Sequence, residues 1–285
     1  MSLRIATRGS ALAKAQAGQV AKMLGGAELV EVSSDGEVGD KARFVRGVER
    51  ALLDGVAEIG VHSAKDLPGE LTEGLTLAAV PPREDPLDAW IGPGDSLEDV
   101  PEGARVGTAS LRRRAQLLAA RPDLDVLELH GNVDTRLRKL AEGEVDATLL
   151  AAAGLERLGR DDIGTPLSDL LPAPAQGAVG IEARADDDEM LGLLAVIDHK
   201  PTSLCVHAER ALLAALGADC RSPVAALARI QAGQIDLRAE ILTEDGSYYE
   251  PGEIIFPFQE NGAPQALARI LLDRAPPGLR ALFTA

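Results

Sequence analysis

The run A-R-V-G-T-A-S-L-R-R-R-A-Q-L-L-A-A, residues 104–120, passes from a strand to a helix within a few residues. Ala104 to Gly107 is a short apolar run. Thr108 and Ala109 make a loop of small residues, and Ser110 is an N-cap for a helix reaching Ala120. The same move repeats downstream, with strands at Asp125–Leu129 and Asp146–Leu150 and helices at Asn132–Glu142 and Ala151–Leu158. It also repeats upstream of the Pro81-Pro82 punctuation. There Leu3–Thr7, Leu29–Val32 and Glu58–His62 read as strands, and Ser10–Leu24, with Ser10 as N-cap, and Phe44–Leu53 read as helices. Strands separated by helices predict two α/β units on mostly parallel sheets. Ala178–Ala183 is one more apolar strand, placed to return to the first unit.

From Thr202 the texture changes. A helix at Ser203–Leu216 precedes strand-like runs at Val224–Ile230, Ile235–Leu242 and Glu253–Pro257. Turn signals fall at Gly233 and Asp245-Gly246, and a helix at Pro264–Asp273 closes the chain. This predicts a small α+β domain with an antiparallel sheet. The expected domains are 1–81 with 176–198, then 82–175, then 199–285.

The chain has 285 residues, 46% hydrophobic and 26% charged, enough for two or three cores. Its net charge of −16 argues against a nucleic-acid surface. No signal-like amino terminus and no long uninterrupted apolar stretch are present, so neither export nor a membrane span is expected. Two cysteines, Cys205 and Cys220, make no disulfide framework, which points to the cytoplasm. His62, His130, His199 and His207 are scattered, and no metal site is expected.

Three clusters could carry chemistry. His62-Ser63-Ala64-Lys65-Asp66-Leu67-Pro68 follows a strand, where open α/β sheets bind ligands. The alternative is a surface ion pair between Lys65 and Asp66. In the second, Ser110 opens a helix whose first turn holds Arg112, Arg113 and Arg114. Cations there oppose the helix dipole, and a bound anion reconciles them; a solvated basic face is the plainer reading. The third, His130-Gly131-Asn132-Val133-Asp134-Thr135-Arg136, is again a strand end, with Arg136 at the edge of an apolar helix face. Arg8 completes a set of cations at strand ends, which suggests a cleft for several carboxylates. Cys205 lies on an apolar helical stripe and reads as packing. Cys220 sits in a loop beside Arg221, either an accessible reactive thiol or an ordinary free one.

The collinear strings RIATRGS, VHSAKDLP, REDPLDAW, VGTASLRRR, HGNVDTRL, AAAGLERLG, LPAPAQGAVGIEAR, AERALL and DCRSPVAALA resemble the porphobilinogen deaminase family from Arg4 to about Leu242. The resemblance implies two periplasmic-binding-protein-like α/β domains, a third α+β domain and a cytoplasmic monomer. It implies a transferase that joins four porphobilinogen units, with loss of ammonia, into the linear tetrapyrrole hydroxymethylbilane. The family builds on a dipyrromethane cofactor, whose thioether anchor matches Cys220, and its catalytic carboxylate matches Asp66. Lys65, Ser63, Thr108, Ser110, Arg112 and Arg113 match positions around the cofactor. Arg8, Ser10, Arg136 and Arg157 match positions around the substrate, with His130 where the family usually has arginine. The loop Ser33–Lys41 is shorter than in better-known members. Two other expectations compete: a two-lobed carboxylate-binding protein without catalysis, and a degenerate homologue.

Overall fold

A computed structural model describes residues 3–33, 43–219 and 222–283. The first sheet is built from β1 (Arg4–Arg8), α1 (Ala11–Met23), β2 (Glu28–Val32), α2 (Arg43–Leu53), β3 (Ile59–Ser63), a 3-10 turn at Ala64–Asp66 and β4 (Leu75–Ala79). The second comprises β5 (Asp88–Ile91), β6 (Arg105–Gly107), α3 (Leu111–Ala120), β7 (Asp125–Leu127), α4 (Val133–Ala141), β8 (Ala147–Ala151), α5 (Ala152–Arg157) and β9 (Thr165–Leu167). Then follow β10 (Val179–Arg184), α6 (Asp188–Leu194), α7 (Lys200–Ala215), β11 (Val224–Gln231), β12 (Gln234–Leu242), β13 (Tyr249–Pro257), α8 (Ala263–Arg274) and α9 (Pro277–Arg280).

The two larger sheets share one plan. Their strand orders are β2-β1-β3-β10-β4 and β7-β6-β8-β5-β9. The second strands in these orders, β1 and β6, pair parallel with both neighbours. The fourth strand of each, β10 and β5, runs antiparallel to both of its neighbours. The expectation of mostly parallel sheets therefore needs one correction per sheet. Each odd strand enters from the other unit through a crossover, so it arrives at the opposite end of its sheet. Apolar side chains follow the buried-strand pattern: Ile5, Ile59 and Ile181 fill the first core, and Trp90, Leu117 and Leu149 the second. A fully buried Leu or Ile contributes about 1.5–3 kcal/mol.

The third sheet, β11-β12-β13, is an antiparallel meander with helices on one face. Leu212 of α7, Leu237 of β12 and Leu271 of α8 are fully buried in its core. The α/β class with a smaller α+β unit is thus what the sequence pattern required. No helix among the described residues is long and apolar enough to cross a membrane.

One buried carboxylate from α7 ties this unit to both crossovers. Glu209 accepts from Arg83 Nη1 at 2.7 Å and Nη2 at 3.1 Å, from Ala228 N at 2.7 Å, and from the Ala175 N–H. Ala175 adopts φ 61°, a left-handed backbone that costs an L-residue about 1–2 kcal/mol. Its bond to Glu209 offsets part of that cost.

Candidate active site

Gln176 brings the segment after β3 next to the start of β5 by accepting from Lys65 and donating to Asp88, and ligands of open α/β sheets bind at such strand ends. Arg8 closes β1 and Asp66 closes the 3-10 turn after β3, with Arg8 Nη1 3.7 Å from Asp66 Oδ2. Both are partly exposed, as groups lining a cleft should be. Ser10 caps α1 by accepting from the Ala13 N–H at 3.3 Å, so its hydroxyl has a structural role. Ser63 sits 2.9 Å from Gln16 Nε2, which donates to it. Lys65 donates to Gln176 Oε1 at 3.0 Å. Behind the turn, His62 Nε2 lies 2.8 Å from the fully buried Glu182.

On the second unit, Thr108 Oγ1 accepts from the Ser110 N–H at 3.2 Å, and Ser110 caps α3 through the Arg113 N–H at 3.4 Å. The α3 helix begins where a free first turn can meet an anion. Arg112 and Arg113 do not lie on a solvated basic face. They are 4% and 5% exposed, and share the fully buried Asp88, at 2.8 and 2.6 Å. Arg113 also donates to Leu149 O at 2.8 Å. Gln176 bridges the units: its Nε2 donates to Asp88 Oδ1 at 2.7 Å while its Oε1 receives Lys65. Arg114 turns away and donates to Val126 O.

Charge in this region is unbalanced toward the positive. Burial alone would push the Asp88 carboxyl up, but the two guanidiniums hold it well below the usual carboxylate range. Burial lowers the Lys65 ammonium to about 8, and the charge of Arg113 adds to that. Burial and Arg113 likewise lower Arg136 to about 10. The Arg136 Nε donates to Gly131 O at 2.9 Å. Arg157 donates to Gly177 O at 2.8 Å, beside the second crossover.

His130 stands apart. It is exposed, 2.7 Å from the equally exposed Glu128. The buried Leu129 between them points inward, and residues two apart on an extended segment share a face. Cys220 lies outside the described residues, as does the loop 34–42. The described residues on either side of Cys220 are joined by three bonds: Ser222 N–H to Asp219 O at 3.1 Å, Asp219 N–H to Ser222 Oγ at 3.1 Å, and Ser222 Oγ to Asp219 Oδ1 at 3.4 Å. Cys205 is a buried thiol, raised to about 11 by burial, as its packing role requires.

The arginines fit a polycarboxylate group. Arg112, Arg113 and Arg157 each keep a buried Nε with no hydrogen-bond partner, and a buried unspent donor is costly unless something accepts from it. Arg8, Lys65 and Arg136 are only partly buried and are the cations a carboxylate can reach, with guanidinium forks suited to it. Asp88, Gln176 and Gln16 were not picked out from the sequence. The signal for Asp88 was an acid inside the apolar run Asp88-Ala89-Trp90-Ile91, where an unpaired charge is not tolerated.

Residues 3–192 match the family model described as "Porphobilinogen deaminase, dipyromethane cofactor binding domain". Residues 203–264 match "Porphobilinogen deaminase, C-terminal domain". A porphobilinogen deaminase of Sphingopyxis alaskensis is 48% identical, over 99% of this chain and 96% of its own. One from a Roseiflexus species is 48% identical over 86% of this chain and 82% of its own. Among solved structures, the methionine-binding protein MetQ aligns with a TM-score of 0.45 at 15% identity, covering 68% of this chain and 89% of that one.

Proposed function

The chain belongs to the porphobilinogen deaminase family, and we propose that Asp66 is its catalytic carboxylate and Cys220 its cofactor anchor. The reaction joins four porphobilinogen units stepwise, each losing ammonia, to give hydroxymethylbilane in tetrapyrrole biosynthesis. The enzyme is a transferase with a dipyrromethane cofactor. A carboxylate-binding protein without catalysis is not favoured beside family matches over residues 3–192 and 203–264.

Loss of ammonia from the aminomethyl group of porphobilinogen leaves a cationic methylene-pyrrolenine. The Asp66 carboxylate, half-buried and oriented by Arg8 at 3.7 Å, opposes that charge in a site drier than water, where a fixed negative group stabilises it most. It also accepts hydrogen bonds from pyrrole N–H groups and takes up or returns the proton at the amine. Arg8, Arg112, Arg113, Arg136 and Arg157 hold the acetate and propionate groups, for which a planar fork is suited. Lys65 adds a cation one residue from Asp66, while the partly buried Ser63 and Ser110 and the buried Thr108 supply hydroxyls. When bound through the Cys220 sulfur, the cofactor supplies the free pyrrole carbon to which the first unit is joined.

The observation that carries this reading is the surplus of positive charge at the strand ends, where Arg8, Lys65, Arg112, Arg113 and Arg136 outnumber Asp66 and Asp88. Arg136 and Lys65 are both destabilised as cations by burial and by Arg113, a cost that incoming carboxylates relieve. The test is intact mass. Freshly purified protein is expected to exceed its sequence mass by two pyrrole units, and Cys220→Ser to show the bare mass. Wild-type protein of bare mass that releases no ammonia from porphobilinogen would restore the binding-protein reading. The same reading carries a cytoplasmic monomer, to be checked by sedimentation near 29.8 kDa.

A further inference from the structure

Arg112 is oriented by a chain of contacts that ends in the C-terminal sheet. Its Nη2 meets Asp88 at 2.8 Å. Its Nη1 donates to Leu171 O at 3.1 Å and to Gln116 Oε1 at 2.8 Å, one helical turn along α3. Gln116 is 4% exposed, so what fixes its carboxamide matters. The two ends of an amide are alike in shape and opposite in chemistry. Turned around, the Gln116 NH2 would face a guanidinium, donor against donor, and the Arg112 bond would be lost.

Two acceptors select the observed orientation. Gln116 Nε2 donates to Leu171 O at 2.9 Å and to the Glu240 carboxylate. Glu240 belongs to β12, 124 residues away. It comes from the third sheet, across the junction with the second unit, and it is half-buried. Its strand is held against α3 by the hairpin that follows. A Cβ on Gly246 would lie 2.5 Å from Ala119 N and 2.7 Å from Ala115 O, so only glycine permits that approach.

We propose that Glu240 is a positioning residue, which through Gln116 holds the Arg112 guanidinium on Asp88 and so fixes the positive charge that a ligand carboxylate meets at these strand ends. The C-terminal sheet thereby sets the geometry of an arginine on the second α/β unit. This rests on the reading of Arg112 as a carboxylate-binding residue.

The test uses full-length protein and two readouts: the fraction of freshly purified chains carrying the two-pyrrole mass, and KM against kcat for porphobilinogen. Glu240→Leu removes the acceptor and keeps the bulk. It is expected to lower the loaded fraction and raise KM about three- to tenfold, the size of a typical pairwise coupling, with kcat within about twofold. Glu240→Gln keeps an oxygen acceptor and should restore both readouts. In the Gln116→Leu background, Glu240→Leu should add nothing, because the two residues act in series.

Additive effects of the two leucine substitutions would overturn the proposal. So would wild-type loading and KM in Glu240→Leu while Arg112→Gln is impaired in both. If Arg112→Gln itself loads and binds like wild type, the reading of Arg112 fails and the proposal falls with it; that result is distinct from the others.

Discussion

Lys65 carries a proton whose loss falls within ordinary assay conditions, because burial and then Arg113 bring its ammonium to about 8. Above that pH the amine is neutral, the cleft loses a cation one residue from Asp66, and carboxylate binding weakens. KM for porphobilinogen should therefore rise as pH climbs through about 8. In Lys65→Arg that limb should move beyond the measured range, since guanidinium stays charged. A pH profile between about 6 and 9.5 on both proteins decides it, and an unchanged limb in the variant would assign the titration to another group. His130 and Arg136 form a second contrast. Truncating the exposed His130 to alanine should leave KM within about twofold, while Arg136→Ala should raise it about tenfold or more, the loss of one charge-assisted contact. The positions of Arg8 at the end of β1, Asp66 in the turn after β3 and Arg136 in the first turns of α4 were legible because short apolar runs end just before them. The outward turn of His130 was not, since a strand-end position does not say which face a side chain takes. Buried partners such as Asp88 and Gln176 were also hidden, because charge burial is decided by residues far apart in sequence.

Among secondary structures, the longer helices and apolar strands were readable from periodicity, mostly with bounds shifted by a residue or two, though α7 begins three residues before Ser203. The short β4, β5 and β9 and the helices α6 and α9 went unread. β9 is three residues with Pro166 at its centre, which an edge strand tolerates and a pattern search passes over. β13 begins at Tyr249, four residues earlier than its apolar run, because Tyr249 to Gly252 are recruited by pairing with β12 rather than by their own pattern. The turn signals at Gly233 and Asp245-Gly246 were right, yet they hid a difference in function. Both glycines have left-handed backbones, φ 77° and 69°. A Cβ at Gly233 meets open space, whereas at Gly246 it meets the α3 backbone. Gly233→Ala should cost only the backbone strain, about 1 kcal/mol. Gly246→Ala should cost clearly more, because hairpin and helix must separate. Urea unfolding of the pair checks this, and equal costs would show that the hairpin does not press on α3.

Across the assembled chain, an acidic protein of net charge −16 concentrates its cations between two sheets. The fold lets this happen by building both sheets on one plan and crossing the chain between them twice. Glu209 clamps those crossings, receiving Arg83 and two backbone N–H groups while fully buried. Glu209→Ala leaves the Arg83 cation without its partner, and should cost about 3–5 kcal/mol, the usual penalty for breaking a buried pair. Denaturant unfolding measures it; a loss below about 1 kcal/mol would mean the crossings hold without the clamp. The three-part organisation was visible from the change of texture after Thr202. The clamp was not, because its members come from four separate segments: the two crossovers, α7 and β11.

The most direct trial of the account is the rate of ammonia release from porphobilinogen by Asp66→Asn. The protein should first be shown by intact mass to carry its two-pyrrole group, supplied if needed from preformed tetrapyrrole. Losing the negative charge that opposes the pyrrolenine cation should slow release by about a thousandfold, on the scale of removing one electrostatic stabiliser, with the fold and loading intact. Release within about tenfold of wild type would contradict it.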